Sequence, residues 1–291
     1  MLQMVKNISL LIAIIFLMCG CNHLDLKGLM IPTSEGVDKR FEQSMAIHGG
    51  KSMQMVSTND NYLFYVCADP HIDSSCENLT TFNDILRNDS EASFGVMLGD
   101  CIDRRDNHQA YLDAVAFEPN KHKYDYPYFH VLGNHDIFFN GWDAFKTMIS
   151  PSVYWFEVRF SSGSDLYICL DTATGTLGRN QSEWLRSFLH ANRDSYRHCI
   201  ILTHTNIFYT DNSQSSSGNL PLEETFALLK LLSEHRVTLV LQGHDHYRED
   251  FTCDNVRYTI VGTIRDGFEK PEYLKIHITQ DGIKYDWQVM K

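Results

Sequence analysis

Seven residues of this chain have side chains suited to hold metal ions, and they arrive in five short blocks. The blocks are Asp69-Pro70-His71, Gly99-Asp100, Gly133-Asn134-His135-Asp136, His204, and Gly243-His244-Asp245-His246, each closing an apolar run. Together they offer carboxylate, imidazole and amide donors in the number that two divalent ions need. Two ions side by side can clamp a phosphoryl group and generate hydroxide at neutral pH.

Each spacing has a chemical reading. Proline biases the residue before it towards extended backbone, and residues i and i+2 of an extended segment share a face. Asp69 and His71 are therefore expected to converge on one ion, although the tripeptide taken alone reads better as a turn with a solvated histidine. Gly99 permits close approach, and the two carboxylate oxygens of Asp100 can reach two ions. Asn134 is a neutral, weak donor, useful where another carboxylate would cancel the field that attracts phosphate. His135 beside two cations needs a compensating partner if it is to carry a proton, and Asp136 is the expected one. His204 alone, at the end of an apolar run, would more often be structural; its place in the series makes it a ligand candidate. His244 and His246 repeat the i, i+2 spacing.

The order of these blocks resembles the calcineurin-like metallophosphoesterase family over about residues 62–247. The resemblance implies a four-layer αββα sandwich, an α/β fold of two mixed β-sheets flanked by helices. It implies that Asp69, His71 and His246 hold a first ion, that Asn134, His204 and His244 hold a second, and that Asp100 bridges them. His135 would face the substrate and protonate the departing oxygen after attack by a metal-bound hydroxide. Asp100-Cys101-Ile102-Asp103-Arg104 is similar to the Ser/Thr phosphatase branch, which makes Arg104 a candidate phosphate ligand. Arg105 departs from that branch, where glycine stands. Two ions with Asp69 and Asp100 leave a charge of about +2, and about +1 after a hydroxide, which suits a small phosphate ester. Zn, Mn and Fe all fit these ligand types. Monoester and diester readings both remain: the Asp-Arg string leans to the first, the Gly-Asn-His-Asp block and the absence of a basic groove to the second. A catalytically idle, lipid-anchored binding protein with the same fold is the competing class, but no ligand position is lost.

The formal net charge of -12 over 291 residues speaks against nucleic acid as the main partner, because phosphate backbones select basic surfaces, and so weakens a nuclease reading. Residues 1–20 read as a signal peptide, with Lys6 ahead of a short apolar run. Leu17-Met18-Cys19-Gly20-Cys21 is similar to a relaxed bacterial lipobox. On that reading Cys21 is acylated and the chain is an exported membrane lipoprotein; an ordinary cleaved signal or a short uncut anchor are the alternatives. Cys67, Cys169 and Cys199 lie in apolar runs and are expected to be buried.

To position the blocks, residues 21–61 are expected to form a tether and an irregular N-terminal segment with one short helix at 37–45, Phe41 facing the core. The catalytic domain is expected over 62–291. Apolar runs at 62–67, 94–98, 128–132, 166–170, 199–203 and 237–241 read as buried strands, and 154–160 as a half-exposed one. Apolar residues at three- and four-residue spacing predict helices at 80–87, 106–117, 180–191 and 222–235, with Asn180 as an N-cap and Glu183 completing a capping box. The segments 257–261, 273–278 and 284–288 read as antiparallel strands, and 211–219 as a mobile Ser-rich loop.

Overall fold

In a computed structural model that describes residues 35–73, 75–103, 107–115, 117–118, 121–122, 127–208 and 219–290, the apolar runs become strands buried on both faces. Residues 1–20, Cys21, Arg104 and the Ser-rich segment apart from Asn219 lie outside the described residues. Six α-helices are described: α1 Val37–His48, α2 Glu77–Asn88, α3 His108–Ala114, α4 Trp142–Met148, α5 Gly178–Asn192 and α6 Leu222–Glu234. The strands are β1 Met55–Ser57, β2 Tyr62–Cys67, β3 Ala92–Met97, β4 Phe117–Glu118, β5 Lys121–His122, β6 Tyr128–His130, β7 Tyr154–Phe160, β8 Gly163–Cys169, β9 Cys199–Leu202, β10 Leu239–Gln242, β11 Glu249–Cys253, β12 Val256–Ile260, β13 Glu272–Thr279 and β14 Gly282–Val289. Among the described residues no helix is long and apolar enough to cross a membrane.

Two mixed sheets carry the fold. One has seven strands in the order β1-β7-β8-β9-β10-β12-β11, the other five in the order β14-β13-β2-β3-β6, and β4 and β5 form a separate two-stranded ribbon. Alternation along β2 explains the layering. Phe64 and Val66 point into a core between the sheets, with Phe94, Val96, Phe156, Tyr167, Ile200 and Leu241. Leu63, Tyr65 and Cys67 point outward to Leu79, Phe82, Tyr111 and Trp142 of α2, α3 and α4. On the far side, Ile201 and Val240 meet Leu185 and Leu189 of α5 and Leu228 and Leu232 of α6. A strand with both faces covered reads as an unbroken apolar run, and the result is the expected αββα sandwich.

Parallel pairing sets the polarity of the site. β2 pairs with β3 and β3 with β6 in one sheet, while β9 pairs with β10 in the other. All five strands point the same end of their sheets towards the ligand blocks, which follow their C-termini. Loops at that edge are where open α/β sheets bind ligands.

Two edge strands escaped the pattern: β1, only three residues long, and the largely polar β11 sit at opposite edges of the large sheet, and an edge strand needs no long apolar run. β12 is antiparallel to β11 but parallel to β10, so the tail is not wholly antiparallel. The folded unit also begins before Tyr62. α1 and β1 are built into the sandwich, with β1 parallel to β7 and Phe41 buried as expected. The fully buried Arg40 guanidinium grips Asp171, also fully buried, at 2.7 and 2.9 Å. Asp38 caps α5 from another helix, accepting from Asn180 N–H at 2.8 Å. Asn180 is thus the third residue of α5 rather than its N-cap, and the capping oxygen comes from 142 positions away.

Replacing Arg40 by methionine strands a buried carboxylate. Removing one partner of a buried pair costs about 3–5 kcal/mol. Urea unfolding of Arg40→Met is expected to show a loss of that order, with much of it recovered in the double variant Arg40→Met/Asp171→Asn. An unchanged midpoint in the single variant would contradict the pairing.

Candidate metal centre

The ligand loops depart from ordinary strand geometry. Asp69, His71, Asp100, His244 and His246 have φ values of 52, 45, 50, 73 and 62°, in the left-handed region that L-residues seldom occupy. The expectation of extended i, i+2 pairs is corrected here: tight left-handed turns aim these side chains. Such strain persists only where the surroundings over-determine it, and backbone bonds between loops do so. Asp69 N–H donates to Gly99 O at 3.1 Å and His71 N–H to Asp100 O at 3.0 Å. Gly243 N–H donates to His204 O at 2.9 Å, His244 N–H to Asp69 Oδ2 at 2.8 Å, and Thr263 Oγ1 to Asp69 O at 2.6 Å. Packing leaves no room at Gly133, where a Cβ would stand 2.1 Å from both N and Oδ1 of Asp100.

The seven predicted ligands come together as two adjoining clusters. In the first, ligand atoms of Asp69, His71 and His246 all lie within 4.8 Å of one another; in the second, those of Asp100, His204 and His244 do so. His71 Nε2 and His246 Nε2 are 3.0 Å apart, and His204 Nε2 is 3.1 Å from His244 Nδ1. Asn134 Oδ1 joins the second cluster at 3.1 Å from His204 Nε2. Asp100 stands between them, with Oδ2 3.5 Å from His71 Nε2 and Oδ1 3.4 Å from His204 Nε2. One oxygen thus faces each cluster, as a bridging carboxylate requires.

The donor chemistry fits two cations. His204 Nδ1 lies 2.7 Å from Leu98 O, so that nitrogen carries the hydrogen, and in the neutral ring the lone pair on Nε2 faces the pocket. Asp69 Oδ1 is buried with no hydrogen-bond donor, although three histidine nitrogens lie 3.7 to 4.0 Å away. An orphan carboxylate oxygen surrounded by imidazole nitrogens is the arrangement a metal ion satisfies.

Titration behaviour follows from the same crowding. Burial raises Asp69 well above the usual carboxylate range, and the charge of Asp100 adds to it. Burial opposes ionisation of Asp100 too, yet the charges of His204 and His135 hold it well below that range. Burial keeps His71 well below the usual imidazole value and brings His246 down to about 4, so both are neutral donors at pH 7. For His204 burial works downward, but the charge and hydrogen bond of Asp100, with Asp69 behind them, raise it to about 10.

His135 stands at the mouth, 22% exposed, its ring edge-on to His71 at 4.5 Å between centroids. Its N–H donates to Asp100 Oδ1 at 2.8 Å and its Nε2 is 4.0 Å from Asp100 Oδ2. The expected partner is corrected. Asp136 is fully buried and turned away, accepting from Gly133 N–H at 2.8 Å and Ile102 N–H at 3.3 Å; burial raises its carboxyl to about 7. It braces the loop and makes no ion pair with His135. The carboxylate beside His135 is Asp103, whose Oδ1 is 3.7 Å from His135 Nδ1 and 3.8 Å from His71 Nδ1. The spacing of Asp100 and Asp103, visible in the sequence, was the signal for it. Arg265, which sequence reasoning missed, reaches Asp103 Oδ1 at 3.8 Å from a loop after β12; nothing in its sequence surroundings marks it.

The profile of the calcineurin-like phosphoesterase family matches residues 62–248. No curated protein is similar enough in sequence to count as a relative. Among solved structures, a dimetal phosphatase from Danio rerio superposes with a TM-score of 0.60 at 14% identity, covering 78% of this chain and 96% of that one. A purple acid phosphatase from yellow lupin seeds gives 0.59 at 13%, covering 80% and 52%. GAP50, described as the anchor in the inner membrane complex of Plasmodium, gives 0.59 at 16%, covering 79% and 85%. At these identities the likeness concerns the fold.

Metal loading is expected to displace protons. At pH 7 the metal-free His204 ring, raised to about 10, carries a proton that an ion must expel, so affinity should climb as pH rises towards that value. Titration calorimetry with Mn or Zn at pH 7, in buffers of different ionisation enthalpy, should read release on the order of one proton or more per chain. A heat independent of buffer would contradict it. Gly133→Ala, which drives a methyl into Asp100, should lose metal stoichiometry by elemental mass spectrometry.

Proposed function

Since the chain belongs to the calcineurin-like phosphoesterase family, we propose that it is a dinuclear metal-dependent hydrolase of phosphoric esters, with His135 as general acid. The single observation that carries this is the complete ligand set: two clusters joined by Asp100, with one ionisable ring at the mouth. When bound, a pair of divalent ions would polarise the phosphoryl oxygens and lower the pKa of water. Asp69, His71 and His246 would hold the first, Asn134, His204 and His244 the second, and Asp100 both. Mn, Fe and Zn all suit these donors.

The protein's own part is orientation and proton delivery. The backbone carbonyl of Asp103 lies 3.4 Å from His135 Nδ1, with its carboxylate at 3.7 Å, a position from which an acceptor orients the ring. With Nδ1 turned to Asp103, His135 keeps Nε2 towards the pocket, where a leaving oxygen would sit. Placing the acid outside both clusters spares it from competing with the ligands for an ion.

The same donor set favours catalysis over a purely binding role, because a scaffold has no use for seven intact ligands and an acid. In this reading the leader directs export and an acylated Cys21 anchors the enzyme to a bacterial membrane, on its periplasmic or cell-surface face, where small phosphate esters rather than nucleic acid would be its substrates.

His135→Ala should lower kcat by about 100-fold or more on phenyl phosphate, whose poor leaving group needs the proton. The loss should be smaller on p-nitrophenyl phosphate, and both ions should remain by elemental analysis. Equal turnover of wild type and variant on phenyl phosphate would refute the assignment. Asn134→Ala and His244→Ala should instead lower occupancy of the second ion.

A further inference from the structure

We infer that Arg265 is the phosphate-recognition residue of this site and that it selects terminal phosphomonoesters over diesters. The inference rests on the hydrolase reading above and adds the substrate class to it.

Two observations place Arg265. Its guanidinium approaches Asp103 Oδ1 at 3.8 Å, on the carboxylate that also faces His71 and His135. That ion pair is longer than a hydrogen bond, and the side chain is 43% exposed, so the guanidinium keeps a face open to solvent.

The backbone that presents it is fixed on both sides. Thr263 is tied to Asp69 through its hydroxyl at 2.6 Å, and Ile264 N–H donates to Ala68 O at 3.1 Å. Arg265 N–H donates to Thr263 Oγ1 at 2.9 Å. Next along, Asp266 accepts from Glu77 N–H and Asn78 N–H, both at 2.8 Å, and from Ser75 Oγ. The turn closes at Gly267, φ 76°, with Phe268 N–H on Arg265 O at 3.3 Å. A pinned backbone whose guanidinium is held only by a long ion pair to Asp103 is a preorganised donor, which loses little freedom on binding.

The preference follows from counting oxygens. A phosphomonoester dianion has three non-bridging oxygens; two can face the two clusters, leaving a third for a planar, paired donor. A diester has two non-bridging oxygens, and its second ester group stands where the third would be. It offers the guanidinium neither a charged acceptor nor the extra negative charge. Phe268, half-buried and 6.3 Å from the His246 ring between centroids, continues the same rim as an apolar wall.

The test uses the full-length mature protein loaded with Mn, with Arg265→Ala and Arg265→Lys beside wild type. Inorganic phosphate is titrated calorimetrically, and kcat/KM is measured on p-nitrophenyl phosphate and bis(p-nitrophenyl) phosphate. Loss of a charge-assisted bond predicts that Arg265→Ala weakens orthophosphate binding about 10- to 100-fold. Monoester kcat/KM should fall at least about tenfold further than diester kcat/KM, with metal content unchanged and Arg265→Lys intermediate, since lysine keeps the charge without the fork. Equal losses on both esters would mean that Arg265 only steers Asp103, and undiminished orthophosphate binding would remove it from the site; either overturns the inference. A wild type that binds both ions and orthophosphate but cleaves neither ester would defeat the hydrolase reading, while the orthophosphate titrations would still decide the role of Arg265.

Discussion

Two carboxylates enclosed in an apolar interior create the constraint on which the rest of the molecule depends. Asp69 and Asp100 are removed from water, and a buried charge must be paired or neutralised. Four imidazoles and an amide surround them with lone pairs rather than with an arginine or lysine. Positive charge must therefore come from outside the chain, as protons or as metal ions. The rise of His204 and the opposite displacements of Asp69 and Asp100 express one demand. A cationic interior follows from an anionic one.

Meeting that demand requires aim, and aim here is obtained through strained turns. Five ligand residues occupy left-handed conformations, each costing on the order of 1–3 kcal/mol. The sandwich offsets the strain by tying the loops to each other: strand-end carbonyls, a ligand carboxylate and the Thr263 hydroxyl all serve as braces. The two sheets contribute unequally, three blocks from the small one and two from the large one. The pocket therefore lies across the seam, and its geometry depends on how the sheets pack as well as on each loop.

Much of this was legible in the sequence because buried parallel strands leave an unmistakable signature. The runs ending at Cys67, Leu98, Thr203 and Leu241 named both the strands and the ligands beyond them. What the sequence hid was direction. Asp136 is adjacent to His135, but the start of a 3-10 helix at His135 turns its carboxylate under the loop. Asp103, thirty-two positions from His135, arrives beside the ring through the Ile72–Ile102 bridge. Arg265 left no trace, since a lone arginine in a polar loop is indistinguishable from any surface cation until the loop is folded. Likewise β1, too short, and β11, largely polar, lie at sheet edges and carry no apolar run to find them by. Long-range capping of α5 by Asp38 lies beyond any local rule.

The attachment of α1 and β1 to the far half of the chain has a temporal consequence. Their partners are β7, the residues just after β8, and the start of α5, all made more than ninety residues later. As the polypeptide is synthesised from its amino end, β1 has no strand to pair with until β7 has emerged, and Asp38 meets the start of α5 only once residues near 180 follow. The last of these contacts are the ones that fasten α1 against the sandwich.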